Sequence, residues 1–193
     1  MNSTQTLPVP RQRNGIVGFV AAFIVIIALL FLLEWTLQQK AAPPLASGDA
    51  PSFELKSFEG TTYRLSDLRG TPMVLNFWAS WCTQCKDEAR ELQAVWEQNR
   101  DKGLLVLGVD YVDTEPEAKA YLAAFGITYP NGPDLGAKIS RAYRITGVPE
   151  TYFITREGKL LSGKDASGRP YGNWIGPIPL SALQARIQKL LAQ

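Results

Sequence analysis

The 193-residue chain holds 20 lysines and arginines, 18 aspartates and glutamates, 2 cysteines and no histidine. A net charge of +2 leaves no basic footprint for nucleic acid. Without histidine, a Ser-His-Asp or Cys-His centre, a histidine-held haem or copper and an ordinary zinc site are excluded. Chemistry is left to the cysteines, carboxylates, amines and backbone.

In chain order, residues 1–14 form a polar tail with Arg11 and Arg13, expected to be cytoplasmic. Gly15 to Leu33 carries no charge and, at about 1.5 Å per residue, extends about 28 Å, close to a bilayer core. The arginines before it and Trp35 at its end predict a single membrane anchor over 15–35, with the rest of the chain outside. A cleaved signal peptide has an apolar core of about 7–15 residues. The longer run here favours a retained anchor, and either way the remainder is exported. Residues 36–50, ending in small residues and prolines, read as a linker. Setting aside Arg11, Arg13, Lys40 and Glu34 leaves the exported part with no net charge, so no bulk attraction to a polyanion is implied.

A domain over 51–193 follows. Phe53 to Leu55 and Thr61 to Leu65 flank Glu59-Gly60 and predict a hairpin. Met73 to Trp78 is an apolar run of strand length, fit for burial on both faces. Leu92, Val95 and Trp96 recur at helical spacing after the cysteines, and Gly103 is a stop. Leu104 to Val109 is the next strand. Asp113-Thr114-Glu115-Pro116 starts a helix striped by Ala118, Tyr121, Leu122 and Phe125 and ended by Gly126. Residues 128–136 read as loop, 137–143 as a short helix, Thr151 to Thr155 as a strand, and Lys159 to Leu161 as another. Residues 162–179, rich in glycine and proline, read as irregular. Ser181 and Gln184 offer a capping box to a last helix lined by Leu183, Ile187, Leu190 and Leu191. Strands that first alternate with helices and then form a hairpin predict a mixed α/β sheet with helices on both faces.

The chemistry lies in Trp81-Cys82-Thr83-Gln84-Cys85, between a strand and a helix. A C-x-x-C in that context is a redox arrangement. The first thiol meets the unpaired N–H groups and positive dipole end of the helix, which favour a thiolate. Cys82 is therefore the expected attacking group, and Cys85, one turn inside, the resolving group. A structural bridge over so short a loop would be a weak staple, and half a zinc site lacks its other ligands.

Residues 72–91 (PMVLNFWASWCTQCKDEARE) together with Gly147-Val148-Pro149-Glu150-Thr151-Tyr152-Phe153-Ile154 resemble the thioredoxin superfamily. They are most similar to its membrane-anchored TlpA, ResA and CcmG (DsbE) group. The resemblance spans about residues 50–193 and the anchor. It implies a thioredoxin-like fold with an N-terminal hairpin and a central helical insert. It also implies a thiol-disulfide oxidoreductase on the outer, periplasmic face of the bacterial cytoplasmic membrane. Gly-Val-Pro-Glu-Thr and Gly108-Val109-Asp110-Tyr111 look most like the CcmG type. That likeness implies a reductant of apocytochrome c cysteines, recharged by a transmembrane reductase of the DsbD or CcdA type. No cofactor beyond the cysteine pair, no metal and no nucleic acid is implied.

Read alone, Pro149 is an ordinary trans proline; the resemblance implies a cis Val148–Pro149 bond beside the cysteines, with residue 148 offering backbone to an extended substrate. Read alone, Glu88 is a solvated helix glutamate; the resemblance makes it an acid that raises thiol pKa values and relays a proton for Cys85. Trp81 is expected on the docking surface and Trp78 in the core. Glu150 lines the groove or is a solvated strand-edge residue. Asp110, Tyr111 and Asp113 end a strand where α/β sheets place ligands. Relatives usually carry a proline between the cysteines, and Thr83-Gln84 has none, so the redox potential is open. Two other functions share these residues: a disulfide oxidant or isomerase for exported proteins, and a non-redox chaperone for thiol-bearing peptides. A peroxidase fits less well, since neither cysteine lies in a Pro-x-x-x-Thr-x-x-Cys arrangement.

Overall fold

The computed structural model describes residues 14–40 and 43–193. The expected cytoplasmic tail, up to residue 13, lies outside them. The chain divides into two units at residue 42. The first contains helix α1 (Asn14–Lys40), longer than the 15–35 span expected. Its Gly18–Trp35 stretch has a mean hydropathy of 2.6, long and apolar enough to cross a membrane.

The second unit begins at Pro43, so it takes in residues expected to be linker. Asp49 bridges Lys159, and the Ala50 N–H donates to the Gly158 carbonyl at 3.0 Å. Strands β1 (Glu54–Lys56) and β2 (Thr62–Arg64) form the expected antiparallel hairpin. β3 (Met73–Trp78) is buried at every position. Met73, Leu75 and Phe77 pack into one cluster with Leu107, Tyr143 and Tyr152, while Val74 packs on the other with Leu92, Val106 and Leu183. Burial on both faces is why this strand reads as continuous rather than alternating apolar sequence.

Helix α2 (Cys85–Asn99) carries Leu92 and Val95 onto the second cluster. Gly103, at φ 85°, ends the short 3-10 turn that follows. β4 (Leu105–Tyr111) pairs in parallel with β3. Helix α3 (Glu115–Phe125) has Pro116 in its first turn and stops at left-handed Gly126. β5 (Asn131–Asp134), helix α4 (Lys138–Tyr143), β6 (Glu150–Ile154), β7 (Asn173–Ile175) and helix α5 (Leu180–Leu191) follow. The five-stranded sheet runs β5-β4-β3-β6-β7, with β6 antiparallel to both its neighbours.

Five local expectations are corrected. The stretch 128–136 is not all loop: Asn131-Gly132-Pro133-Asp134 is the edge strand β5, parallel to β4. At an edge, Pro133 forfeits no ladder bond. The strand is held by contacts remote in sequence: the Asn131 carbonyl accepts from Phe58 N–H at 2.8 Å, and its side chain accepts from Trp78 Nε1 at 2.8 Å. Lys159 to Leu161 makes only isolated bridges, whereas Asn173–Ile175, inside the stretch expected to be irregular, pairs with β6 as β7. The capping box is absent, because Pro179 takes the cap position with no side-chain bond and Ser181 is already helical. Cys85 is the first residue of α2 rather than one turn inside it.

The 162–179 loop is anchored by Arg186 of α5, which is buried. Its guanidinium lies 4.7 Å from the Trp174 ring centroid and 5.3 Å from that of Tyr171. Nη2 donates to Asp165 at 3.1 Å and to the Pro170 carbonyl at 3.2 Å.

Candidate active site

The β3–α2 turn places the two cysteines just beyond the C-terminal end of the central strand β3. They form a disulfide with Cα atoms 5.3 Å apart. Cys82 is 6% exposed and Cys85 1%, the order expected of an attacking and a resolving group. Because α2 starts at Cys85, the N–H of that residue points at Cys82 Sγ, 3.1 Å away. A first-turn N–H aimed at sulfur, with the helix dipole behind it, stabilises a thiolate on Cys82 in the reduced protein.

The loop before β6 closes the other side. The Val148–Pro149 bond is cis, and the Val148 carbonyl oxygen lies 3.5 Å from Cys82 Sγ. The Pro149 carbonyl accepts from Gly176 N–H at 2.9 Å, so the end of β7 braces this loop. Ile175 is exposed there, paired with Glu150 in the ladder. Trp81 is 59% exposed, and its ring meets Tyr111 edge-on at 6.5 Å. Trp78 is buried, stacked on Tyr121 with centroids 4.6 Å apart.

Glu88 is 2% exposed, not a solvated helix residue. Its Oε1 accepts from Asn76 Nδ2 at 2.9 Å and its Oε2 from Ile178 N–H at 2.7 Å. Burial, partly offset by these two bonds, pushes the carboxyl up to about 7, with Glu91 and Asp87 adding a little in the same direction. A carboxyl poised near neutrality one turn beyond Cys85 can accept or return a proton there. Asn76 also donates to Thr151 Oγ1 at 3.0 Å, so through Asn76 of β3 the carboxylate on α2 is linked to β6. Tyr121 donates to the Cys85 carbonyl at 2.9 Å.

Glu150 is corrected: it is fully buried and lines no groove. Its carboxylate accepts from Tyr152 Oη at 2.6 Å and Thr146 N–H at 3.0 Å, and burial raises its pKa. Asp110 and Asp113 are also buried. Asn76, Tyr121 and Ile178 are site residues that sequence reading does not single out. Asn76 carries a signal, as the one polar residue in an otherwise apolar strand. Ile178 carries none, because its backbone, not its side chain, does the work. Among the described residues there is no group of three metal-ligating side chains.

The AhpC/TSA family matches residues 47–162 of this chain. The thiol-disulfide oxidoreductase ResA of Oceanobacillus iheyensis is 29% identical over 155 residues, covering 78% of this chain and 81% of that protein. ResA of Bacillus thuringiensis (strain Al Hakam) is 29% identical over 113 residues, 58% of this chain, and the match spans 65% of that relative's length. Among solved structures, a thiol:disulfide interchange protein of the thioredoxin family from Chlorobium tepidum TLS is 25% identical, with a TM-score of 0.62, covering 78% of this chain and 98% of that one. StoA from Bacillus subtilis is 20% identical, with a TM-score of 0.58 over 75% of this chain and 99% of its own, a likeness of fold. A disulfide between a strand and a helix start, on a thioredoxin-like sheet, is the arrangement of a thiol-disulfide redox site, and the chain belongs to the AhpC/TSA family.

Proposed function

We propose that this protein is a thiol-disulfide oxidoreductase, tethered by α1 to the outer face of a bacterial cytoplasmic membrane, that reduces the haem-attachment cysteines of apocytochrome c. The observation that carries the reading is Cys82, which receives the Cys85 N–H and faces the carbonyl before cis Pro149. The Cys82 thiolate attacks one sulfur of the client disulfide; that S–S bond breaks, and the departing client thiolate takes up a proton. Cys85, its proton passed to Glu88, attacks Cys82 sulfur in the mixed disulfide and releases the second client thiol. Two electrons have moved to the client and the Cys82–Cys85 bond has formed. A transmembrane thiol reductase of the DsbD or CcdA type restores the dithiol. Trp81, Val148 and Pro149 form the docking face, with Val148 offering its carbonyl to the client backbone.

A Cys85→Ser chain in its native host tests this. It should accumulate a mixed disulfide at Cys82 with apocytochrome c, and holocytochrome c should fall. Normal holocytochrome c with other exported proteins trapped instead would overturn the client assignment. One observation favours a second reading, an oxidant or isomerase for exported proteins: Trp81 and Ile175 expose apolar surface on this face. The reduction potential separates the two. A reductant should lie near thioredoxin at about −270 mV, an oxidant nearer DsbA at about −120 mV.

A further inference from the structure

The turn from β4 into α3, residues 110–113, carries three unusual features side by side. Asp110 is completely buried, and neither of its carboxylate oxygens meets an N–H or O–H donor among the described residues. Asp113 is held at both oxygens and keeps spare acceptor capacity: its Oδ2 accepts from Ser80 N–H at 2.7 Å and its Oδ1 from Thr114 N–H at 2.8 Å. Between them Val112, β-branched and half exposed, sits at φ 48°. That is a conformation such residues adopt only where the surroundings impose it.

A buried carboxylate with no donor is costly, and a second carboxylate beside it adds repulsion. Protonation removes both penalties. It also creates an O–H, and the adjacent acceptor is Asp113. Burial first and then the Asp113 charge push Asp110 up to about 7. The remaining charged and titratable groups around the turn do not relieve it. On α3, Lys119 pairs with Glu115 at 2.6 Å, and Tyr121 donates to Cys85. On α2, Glu88 is buried while Lys86, Asp87 and Arg90 are exposed. On β5, Asp134 caps α4 through Lys138 and Ser140.

We propose that Asp110 keeps its proton and donates it to Asp113, that Asp113 thereby clamps the Ser80 amide at the start of the turn presenting Trp81 and Cys82, and that loss of this proton loosens the clamp and disfavours the Cys82 thiolate. Asp110 and Asp113 are positioning residues; neither touches the reacting sulfurs. The kinetic part of this inference rests on thiol-disulfide exchange at Cys82, whereas the proton pair does not.

The experiment uses the full-length chain in detergent micelles. In a Glu88→Gln background, which leaves Asp110 and Glu150 as the buried carboxyls with raised pKa, infrared spectra across the pH range should show a protonated carboxyl band near pH 6 that belongs to Asp110. That band should vanish on adding Asp110→Asn. In a reduced Cys85→Ser background, the alkylation rate of Cys82 is then followed against pH. Asp110→Asn keeps a donor to Asp113 but cannot ionise, so alkylation above neutral pH should rise about 3- to 10-fold and the profile should become a single thiol titration. Asp113→Ala should slow alkylation at every pH, while Asp113→Asn, which keeps an acceptor for Ser80, restores it in part. Absence of the infrared band from a folded chain, or its persistence in Asp110→Asn, overturns the proton pair. A band with unchanged alkylation profiles overturns the clamp. A chain that shows the band but exchanges with no disulfide overturns the proposed function and leaves the pair standing.

Discussion

Replacing Glu88 by Gln tests the buried acid most directly. The substitution preserves shape and removes one ionisable group. In the folded protein the carboxyl is held at about 7 rather than 4.5. The folded state therefore binds the proton more tightly than the unfolded chain does. The stabilisation this provides is fully present below pH 4.5 and is lost as pH rises through about 7. At about 1.4 kcal/mol per pKa unit, the loss is about 3 kcal/mol. Gln has no such dependence. It leaves either the Asn76 or the Ile178 donor without an oxygen, a roughly constant offset of about 1–3 kcal/mol. Urea unfolding of the two oxidised proteins at acid and alkaline pH separates offset from slope. On going from acid to alkaline conditions the variant should gain about 3 kcal/mol relative to the parent, or about 1–2 M in midpoint. A difference that stays constant within about 1 kcal/mol would refute the buried, neutral-poised carboxyl.

Two further substitutions probe the scaffold. Arg186→Met should release the 162–179 loop: losing the desolvated stacking on Trp174 and Tyr171 costs about 2 kcal/mol, so proteolytic cleavage in the loop should speed up about 30-fold. Gly108→Ala should break the contact between β4 and β5, because a Cβ there would collide with the Asn131 side chain and lie 2.8 Å from Trp78 Nε1. Overpacking of about 1–3 kcal/mol should lower the melting temperature by roughly 2–12 °C, read by circular dichroism.

The limits of sequence reading follow from range. Strands buried on both faces, such as Met73 to Trp78, announce themselves because their whole side-chain set must be apolar. Helix stops at Gly103 and Gly126 are legible because left-handed backbone favours glycine. The strand–C-x-x-C–helix order likewise identifies Cys82 and Cys85, since the helix start that activates the first sulfur is a local feature. Edge strands are not legible in this way. Asn131-Gly132-Pro133-Asp134 has the composition of a turn and becomes β5 only because Gly108, Trp78 and Phe58 come to meet it.

The same distinction governs the carboxylates. Glu88, Asp110 and Glu150 look alike in sequence, as charged residues in charged or strand-end stretches. Only packing separates them. Glu88 is buried against donors from β3 and the 176–179 segment, Asp110 is buried without a donor, and Glu150 is enclosed by Tyr152 and Thr146. Residue identity and local spacing determined where the cysteine pair lies and which sulfur meets the helix start. The protonation of the acids around it was decided by tertiary structure, because desolvation and donor supply depend on neighbours that the chain brings in from as far as 90 residues away.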